Sequence, residues 1–309
     1  MTEDDPIYEL PEFVQHETSF FSDPHELLDQ RLFDSGELKP WVADDLEGML
    51  YDFLGSLGLQ HIDAWLHIWL AGSGVSFIWN EKESDLDCLL GINWVQFRQF
   101  NDDFRGLSDQ DISSWMNDQF YTGLNKDYWN GFELTFYVNP QATDIRSINP
   151  YAAWDVTCGT WTVVPDITKQ EDIRTEYPSN WALVSESDYS RAMVAASRYT
   201  EALRRLQEAT NPAHRTNAEV YVKNALSLGA SLYDEIHHGR RDSFSESGGG
   251  YKSFGNWRWQ MAKSSGTKQV LEQMKAYHQG LEAKKYTGTF GVELPSPSSL
   301  VVRAALAHR

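Results

Sequence analysis

The sequence predicts an α+β protein in which a mixed α/β half is followed by a helical half. Three observations carry this. Strand-length apolar runs and β-branched, aromatic segments concentrate before Pro178, and apolar residues recur at helical spacing after it. The charge also changes sign: residues 1–190 hold 9 basic and 35 acidic side chains, residues 191–309 hold 17 and 10. The expected division is an acidic arm over 1–40, a core over 41–180 and a helical domain over 181–309.

The elements follow in order. Four prolines and many acids make residues 1–40 an irregular arm, with one short helix at Pro24–Leu32. Leu46, Met49, Leu50, Phe53, Leu54 and Leu57 place a helix over Asp44–Leu57, ended by Gly58. His61–Leu70 and Ser84–Trp94 are strand-length apolar runs around a Gly-containing turn, and Phe97–Phe120 reads as a polar loop with one or two helical turns. Gly131–Val138 is a β-branched, aromatic strand stopped by Asn139-Pro140, while Thr143–Ile148 and Trp161–Val164 are weaker strand candidates.

In the second half, Tyr189, Met193, Ala196, Tyr199, Ala202 and Leu206 share one face of a helix over Glu186–Thr210, capped by Ser185 or Ser187. Val220, Tyr221, Ala225, Leu228, Leu232 and Ile236 do the same over Thr216–His237, with Gly239 as the stop. A Gly/Ser loop spans Ser243–Gly255, Asn256–Lys285 holds one or two more helices, and the tail from Thr287 is irregular until Leu300–Leu306.

Composition narrows the class. With 309 residues and 41% hydrophobic content the chain can build a core, which excludes a disordered protein. The run Ala64–Trp79 is too short and too interrupted to span a bilayer, so no membrane partner is expected. The acidic N-terminus has no apolar leader, and Cys88 and Cys158 form neither a disulfide framework nor a metal knuckle, which points to the cytoplasm.

Chemistry concentrates at Leu70-Ala71-Gly72-Ser73, followed after eleven residues by Asp85-Leu86-Asp87-Cys88-Leu89-Leu90. On a strand Asp85 and Asp87 point the same way, with Leu86 and Cys88 behind them. Two neighbouring carboxylates repel each other and seat a hard divalent cation such as Mg²⁺. At Gly72-Ser73 a bare backbone and a hydroxyl can approach phosphate oxygens. A third carboxylate from a later strand completes such a site; Glu133 is the first candidate and Asp144 the second.

These residues resemble the polymerase-β-type nucleotidyltransferase superfamily, which includes CCA-adding enzymes, oligoadenylate synthases and minimal members. The resemblance covers about residues 45–165. It implies a mixed-sheet, palm-like core followed by a helical domain, Mg²⁺ or Mn²⁺ as cofactor, and an NTP as substrate, with ATP the default. It further implies that Asp85, Asp87 and Glu133 bind metal and act in catalysis, and that Gly72 and Ser73 hold triphosphate oxygens. The activity implied is transfer of a nucleoside monophosphate to a hydroxyl on an RNA end, a nucleotide, a protein or a small molecule. The superfamily's third acid is more often Asp than Glu.

Arg240, Arg241 and Lys252, flanking the Gly/Ser loop, are candidate nucleotide-gripping cations, with Tyr251, Trp257 and Arg258 nearby. Asp234, Glu235, His237 and His238 read as a solvated helix end rather than a metal site, and His61 and His67 as satisfied core histidines. Arg191, Arg198, Tyr199 and Lys223 read as packing or surface charge. The acidic half disfavours a long duplex DNA partner, whereas the basic half permits a small RNA or a protein acceptor. The alternatives are a catalytically silent protein of this fold that binds nucleotide or a partner, and an acidic nucleic-acid mimic. No P-loop, G-x-S-x-G or C-x-x-C is present.

Overall fold

A computed structural model describes residues 9–81, 85–125, 128–139, 143–168, 176–291, 300–302 and 304. Ser84, Pro140 and, in the tail, residues 292–299, 303 and 305–306, which enter the expectations above, lie outside the described residues. The chain forms two compact units. One comprises Ser19–Glu176, Phe244–Tyr251 and the segment from Pro295; the other comprises the chain up to Thr18, Tyr177–Ser243 and Lys252–Leu294. The N-terminal arm is therefore divided between them. Among the described residues no helix is long and apolar enough to cross a membrane.

The first unit is α+β. It holds a hairpin, β1 (Phe33–Asp34) and β2 (Glu37–Leu38), and a mixed sheet. The sheet comprises β3 (Leu66–Ala71), β4 (Asp85–Ile92), β5 (Tyr128–Trp129), β6 (Phe132–Val138), β7 (Ala153–Asp155) and β8 (Thr160–Val163). Its strand order is β5-β6-β4-β3-β7-β8, and β4 with β6 is the parallel pair. A parallel pair needs a crossover. Helices α3 (Trp94–Phe100) and α4 (Asp109–Gly123) supply it, after α1 (Pro40–Ser56) and the single turn α2 (Ile62–Trp65).

Alternation on the strands decides which face is buried. Leu86, Cys88 and Leu90 of β4 and Phe132, Leu134, Phe136 and Val138 of β6 are buried in one core with Leu46, Leu50 and Leu54 of α1 and Met116 and Phe120 of α4. Asp85, Asp87, Glu133 and Thr135 are half-buried on the opposite face. Two asparagines fix β6. The side chain of Asn117 accepts from Val138 N at 2.8 Å and donates to its carbonyl at 2.9 Å, and Asn125 does the same for Phe136 at 2.7 and 3.0 Å. They satisfy strand groups beyond the reach of the two-residue β5.

Several local expectations are corrected. Pro24–Leu32 is turn, and the short helix is a 3₁₀ turn at Ser19–Phe21. His61 is exposed in a left-handed conformation before α2, its ring 4.5 Å from Phe100, so the strand begins only at Leu66. The polar stretch after Phe97 contains α4, which Ser108 caps by accepting from Asp111 N and which buries Ile112, Trp115, Met116 and Phe120. Thr143–Ile148 forms a 3₁₀ turn at Ile145–Ile148, capped by Asp144 rather than extended.

The second unit is helical: α5 (Ser179–Glu208), α6 (Pro212–Ser243), α7 (Phe254–Ser264) and α8 (Thr267–Phe290). Helix α5 starts at Ser179, so neither Ser185 nor Ser187 caps it. Its buried face is Asp188, Ala192, Ala195, Tyr199 and Ala202, whereas Met193 is exposed; in α6 Val220, Tyr221 and Leu228 are exposed while Val222, Ala225, Leu226 and Gly229 are buried. Small residues select these faces because they let helices approach: a Cβ at Gly229 would lie 2.6 Å from Met274 Sδ. The same reason carries α6 past Gly239, which meets Gly255 of α7, to Ser243. Helix α8 runs to Phe290, so the chain is not yet irregular at Thr287.

Candidate functional site

The sheet face of the α+β unit brings together the acids that the sequence singles out. Asp85 and Glu133 are direct partners in the parallel β4–β6 ladder, and Asp87 pairs with Thr135 on one side and Ala71 on the other. Adjacent strands run about 4.8 Å apart, so Asp85 and Glu133 are neighbours on one face. Among the described residues neither of these two carboxylates has a cationic side chain within ion-pair distance.

Gly72 follows Ala71 and closes this end of the face. Its φ of +79° suits glycine, and a Cβ there would lie 2.6 Å from Asp87 Oδ2, so only a bare backbone fits against that carboxylate. The 3₁₀ turn Ser73–Val75 follows, held by Ser76, whose N–H and hydroxyl donate to the Ser73 carbonyl at 3.1 and 2.7 Å. The Ser73 side chain is half-buried, and its hydroxyl has no hydrogen-bond partner among the described residues. Gly74 lies against the Asp85 backbone carbonyl, so the turn sits over the start of β4.

Three carboxylates on one half-buried face are an oxygen donor set suited to a hard divalent cation. Their oxygens do not all lie within 4.8 Å of one another; among the described residues the donor group that does so is His67, Asp155 and Cys158.

Asp144, the second candidate for the third acid, is elsewhere. Thr143 O would lie 2.7 Å from a Cβ on Gly91, four residues beyond Asp87 and therefore about 13 Å along the strand. Arg146 binds both Asp144 oxygens and holds its carboxyl below the usual range. Asp144 lines an open cleft of about 960 Å³ with His67, Trp69, Gly91, Arg146, Asp155 and Trp161.

The cationic candidates Arg240, Arg241 and Lys252 belong to the helical unit. The Arg240 guanidinium lies 5.1 Å from the Trp259 ring centre, and Arg241 and Lys252 are exposed. Trp257 is buried, and the largely buried Arg258 donates to Asp188 at 2.6 and 2.8 Å and to Glu235 at 2.5 Å, so these two hold helices together rather than offering a base platform. The Asp234–His238 segment is an internal turn of α6: Lys275 pairs with Asp234, Arg191 and Arg258 hold Glu235, and His237 stacks on Tyr233.

His67 is a correction of another kind. It is not a core residue: its side chain is 32% exposed, and its Nε2 lies 2.7 Å from Asp155 Oδ2. No local pattern signals this pair, because its members are 88 residues apart and meet only through the β3–β7 pairing.

No family model, no curated protein and no solved structure matches this chain.

Proposed function

We propose that the chain is a metal-dependent nucleotidyltransferase of the polymerase-β type, which transfers a nucleoside monophosphate from an NTP to a hydroxyl acceptor and releases pyrophosphate. The observation that carries this reading is the ladder register that sets Glu133 beside Asp85, on the face that also bears Asp87 under Gly72. Asp85, Asp87 and Glu133 would hold Mg²⁺ or Mn²⁺, which supplies charge neutralisation for the triphosphate and acidifies the acceptor hydroxyl.

The chain's own residues have distinct tasks. Gly72 lets the backbone pass against the Asp87 carboxylate and so holds that carboxylate beside the turn, while the Ser73 hydroxyl is a donor for a triphosphate oxygen. In the transfer a bond forms between the acceptor oxygen and the α-phosphorus. The bond from that phosphorus to the bridging oxygen breaks, pyrophosphate leaves with the electron pair, and the hydroxyl proton passes to a carboxylate or to water. Positioning and charge stabilisation do most of the work in such a reaction, which suits a site made of carboxylates and backbone.

A second reading is favoured by one observation, the spread of the three carboxylates. In that reading the protein binds nucleotide or a partner without turnover. The deciding experiment is pyrophosphate release with each of the four NTPs and Mg²⁺ or Mn²⁺, with and without total small RNA. Release that falls at least ~10²-fold in Asp85→Ala plus Asp87→Ala, the scale of a lost electrostatic contribution, supports transfer. Metal-dependent NTP binding without release moves the assignment to the silent protein. Release that survives the double variant, or no NTP binding at all, overturns the site.

A further inference from the structure

A second set of donors lies on the same sheet face, toward the opposite ends of β3 and β4 from Gly72. His67 of β3 is opposite Gly91 of β4, and Asp155 of β7 is opposite Trp69 of β3. One nitrogen, one carboxylate oxygen and one sulfur from His67, Asp155 and Cys158 all lie within 4.8 Å of one another. Two contacts converge on the Asp155 carboxylate: Cys158 N donates to Oδ1 at 2.7 Å, and His67 Nε2 lies 2.7 Å from Oδ2. A cation bound by His67 and Asp155 would replace the proton shared between Nε2 and Oδ2.

The frame around this set is built independently of it. Val156 N donates to the Ile68 carbonyl at 3.0 Å and Ile68 N donates to Thr157 Oγ1 at 3.1 Å, so the turn carrying Cys158 is tied to the strand carrying His67. Asp155 is 7% exposed, whereas Cys158 is exposed, so the rigid carboxylate is paired with an accessible sulfur. His67 and Asp155 also line the open cleft. Donors around a tetrahedral zinc stand about 3.3–3.7 Å apart, which follows from bond lengths of about 2.0–2.3 Å. Zinc binding would therefore open the 2.7 Å Nε2–Oδ2 contact by about 0.6 Å and draw the exposed Cys158 sulfur in from within 4.8 Å.

We propose that His67, Asp155 and Cys158 form a zinc site whose fourth position opens onto the cleft. Nitrogen, sulfur and one carboxylate are the donors of a borderline-soft ion, whereas Mg²⁺ and Ca²⁺ select all-oxygen sets. On binding, the Cys158 thiol gives its proton to solvent, and a neutral His67 carries its proton on Nδ1.

The test uses the full chain freed of metal, titrated with zinc against a chromophoric chelator and with cobalt(II) as a spectroscopic substitute. One zinc per chain is expected, with a thiolate-to-cobalt absorption that Cys158→Ser abolishes. His67→Gln should weaken zinc affinity at least ~10-fold. Both substitutions fall on exposed or half-exposed side chains, and far-ultraviolet circular dichroism checks that the fold persists. Asp85→Ala plus Asp87→Ala should leave zinc binding unchanged, which separates this site from the nucleotide site. No zinc bound, a thiolate band that survives Cys158→Ser, or an affinity indifferent to His67→Gln overturns the proposal.

Discussion

The acids of the helical unit contrast with two acids on the sheet face, although the sheet unit pairs others, such as Asp29 with Arg31 and Asp144 with Arg146. In the helical unit carboxylates are consumed by partners: Asp188 and Glu235 by Arg258 and Arg191, Glu201 by Arg204 and Arg205, Asp234 by Lys275, Glu282 by Lys223. On the sheet face Asp85 and Glu133 stand side by side with no cation among the described residues at ion-pair distance. An acid that holds helices together is explained by its partner. A pair of half-buried, neighbouring acids with no cationic partner among the described residues has no such explanation, and folding alone disfavours it. On the function proposed above, the difference separates structural charge from charge kept for a ligand.

The largest way to test that separation is in the helical unit. Arg258 spans from α7 to Asp188 of α5 and Glu235 of α6, and Asp188 is only 3% exposed. Arg258→Ala leaves a carboxylate buried and poorly paired, a loss of about 3–5 kcal/mol for such pairs. Arg191, 3.5 Å from Asp188, remains as a partial partner and sets the expectation near 3 kcal/mol. Urea unfolding followed by the helical signal measures it. A loss below ~1 kcal/mol would show that the network does not hold the helices, and the contrast between units would fail.

How much of this was legible in the sequence depends on range. The alternation in Asp85–Leu90 and the Phe132–Val138 strand were readable because a strand's two faces are written at a period of two residues. That Glu133 falls beside Asp85 was not, since a parallel register is set by the intervening crossover, and its main helix, α4, was read as loop. The apolar residues of α4 are sparse and its surface is rich in Asp, Asn and Gln, so buried Ile112, Trp115, Met116 and Phe120 hardly register in composition. The helical faces of α5 and α6 depart from the predicted ones for a related reason: spacing of large apolar residues predicts the core, whereas Ala and Gly make the closest contacts. The His67–Asp155–Cys158 set was invisible because only tertiary pairing assembles it.

Acidification tests the same contrast with a smaller effect. Burial, then the charges of Arg240, Lys275, Arg241 and His238, push the His237 pKa down to about 4, so the folded ring stays neutral where the unfolded ring, at 6.5, takes a proton. Its contribution is complete above pH 6.5 and is lost as pH falls to about 4. Glu235, held down to about 2 first by Arg191 and also by Arg258, contributes fully above its ordinary 4.5 and loses that contribution as pH falls toward 2. Both act in one direction. Allowing for solvent screening of two partly exposed groups, the helical unit should lose on the order of 1–2 kcal/mol between pH 7 and 4. The urea midpoint of the helical signal at the two pH values reads this, and His237→Gln should flatten the upper part of the fall. A midpoint that holds or rises on acidification refutes the assignment.

The smallest effect is the sharpest. Glu133→Gln removes one of two like charges on adjacent strands while keeping shape, so stability should stay level or rise by up to about 0.5 kcal/mol. The matching change in the helical unit, Glu235→Gln, takes an acceptor from Arg191 and Arg258 and should lower stability by roughly 1 kcal/mol. Differential scanning calorimetry on both variants compares them directly. If Glu133→Gln instead destabilised the sheet unit by more than ~1 kcal/mol, Glu133 would be a structural acid like those of the helices. Its place beside Asp85 would then be a matter of folding, and the reading of that face as a nucleotide site would lose the observation it rests on.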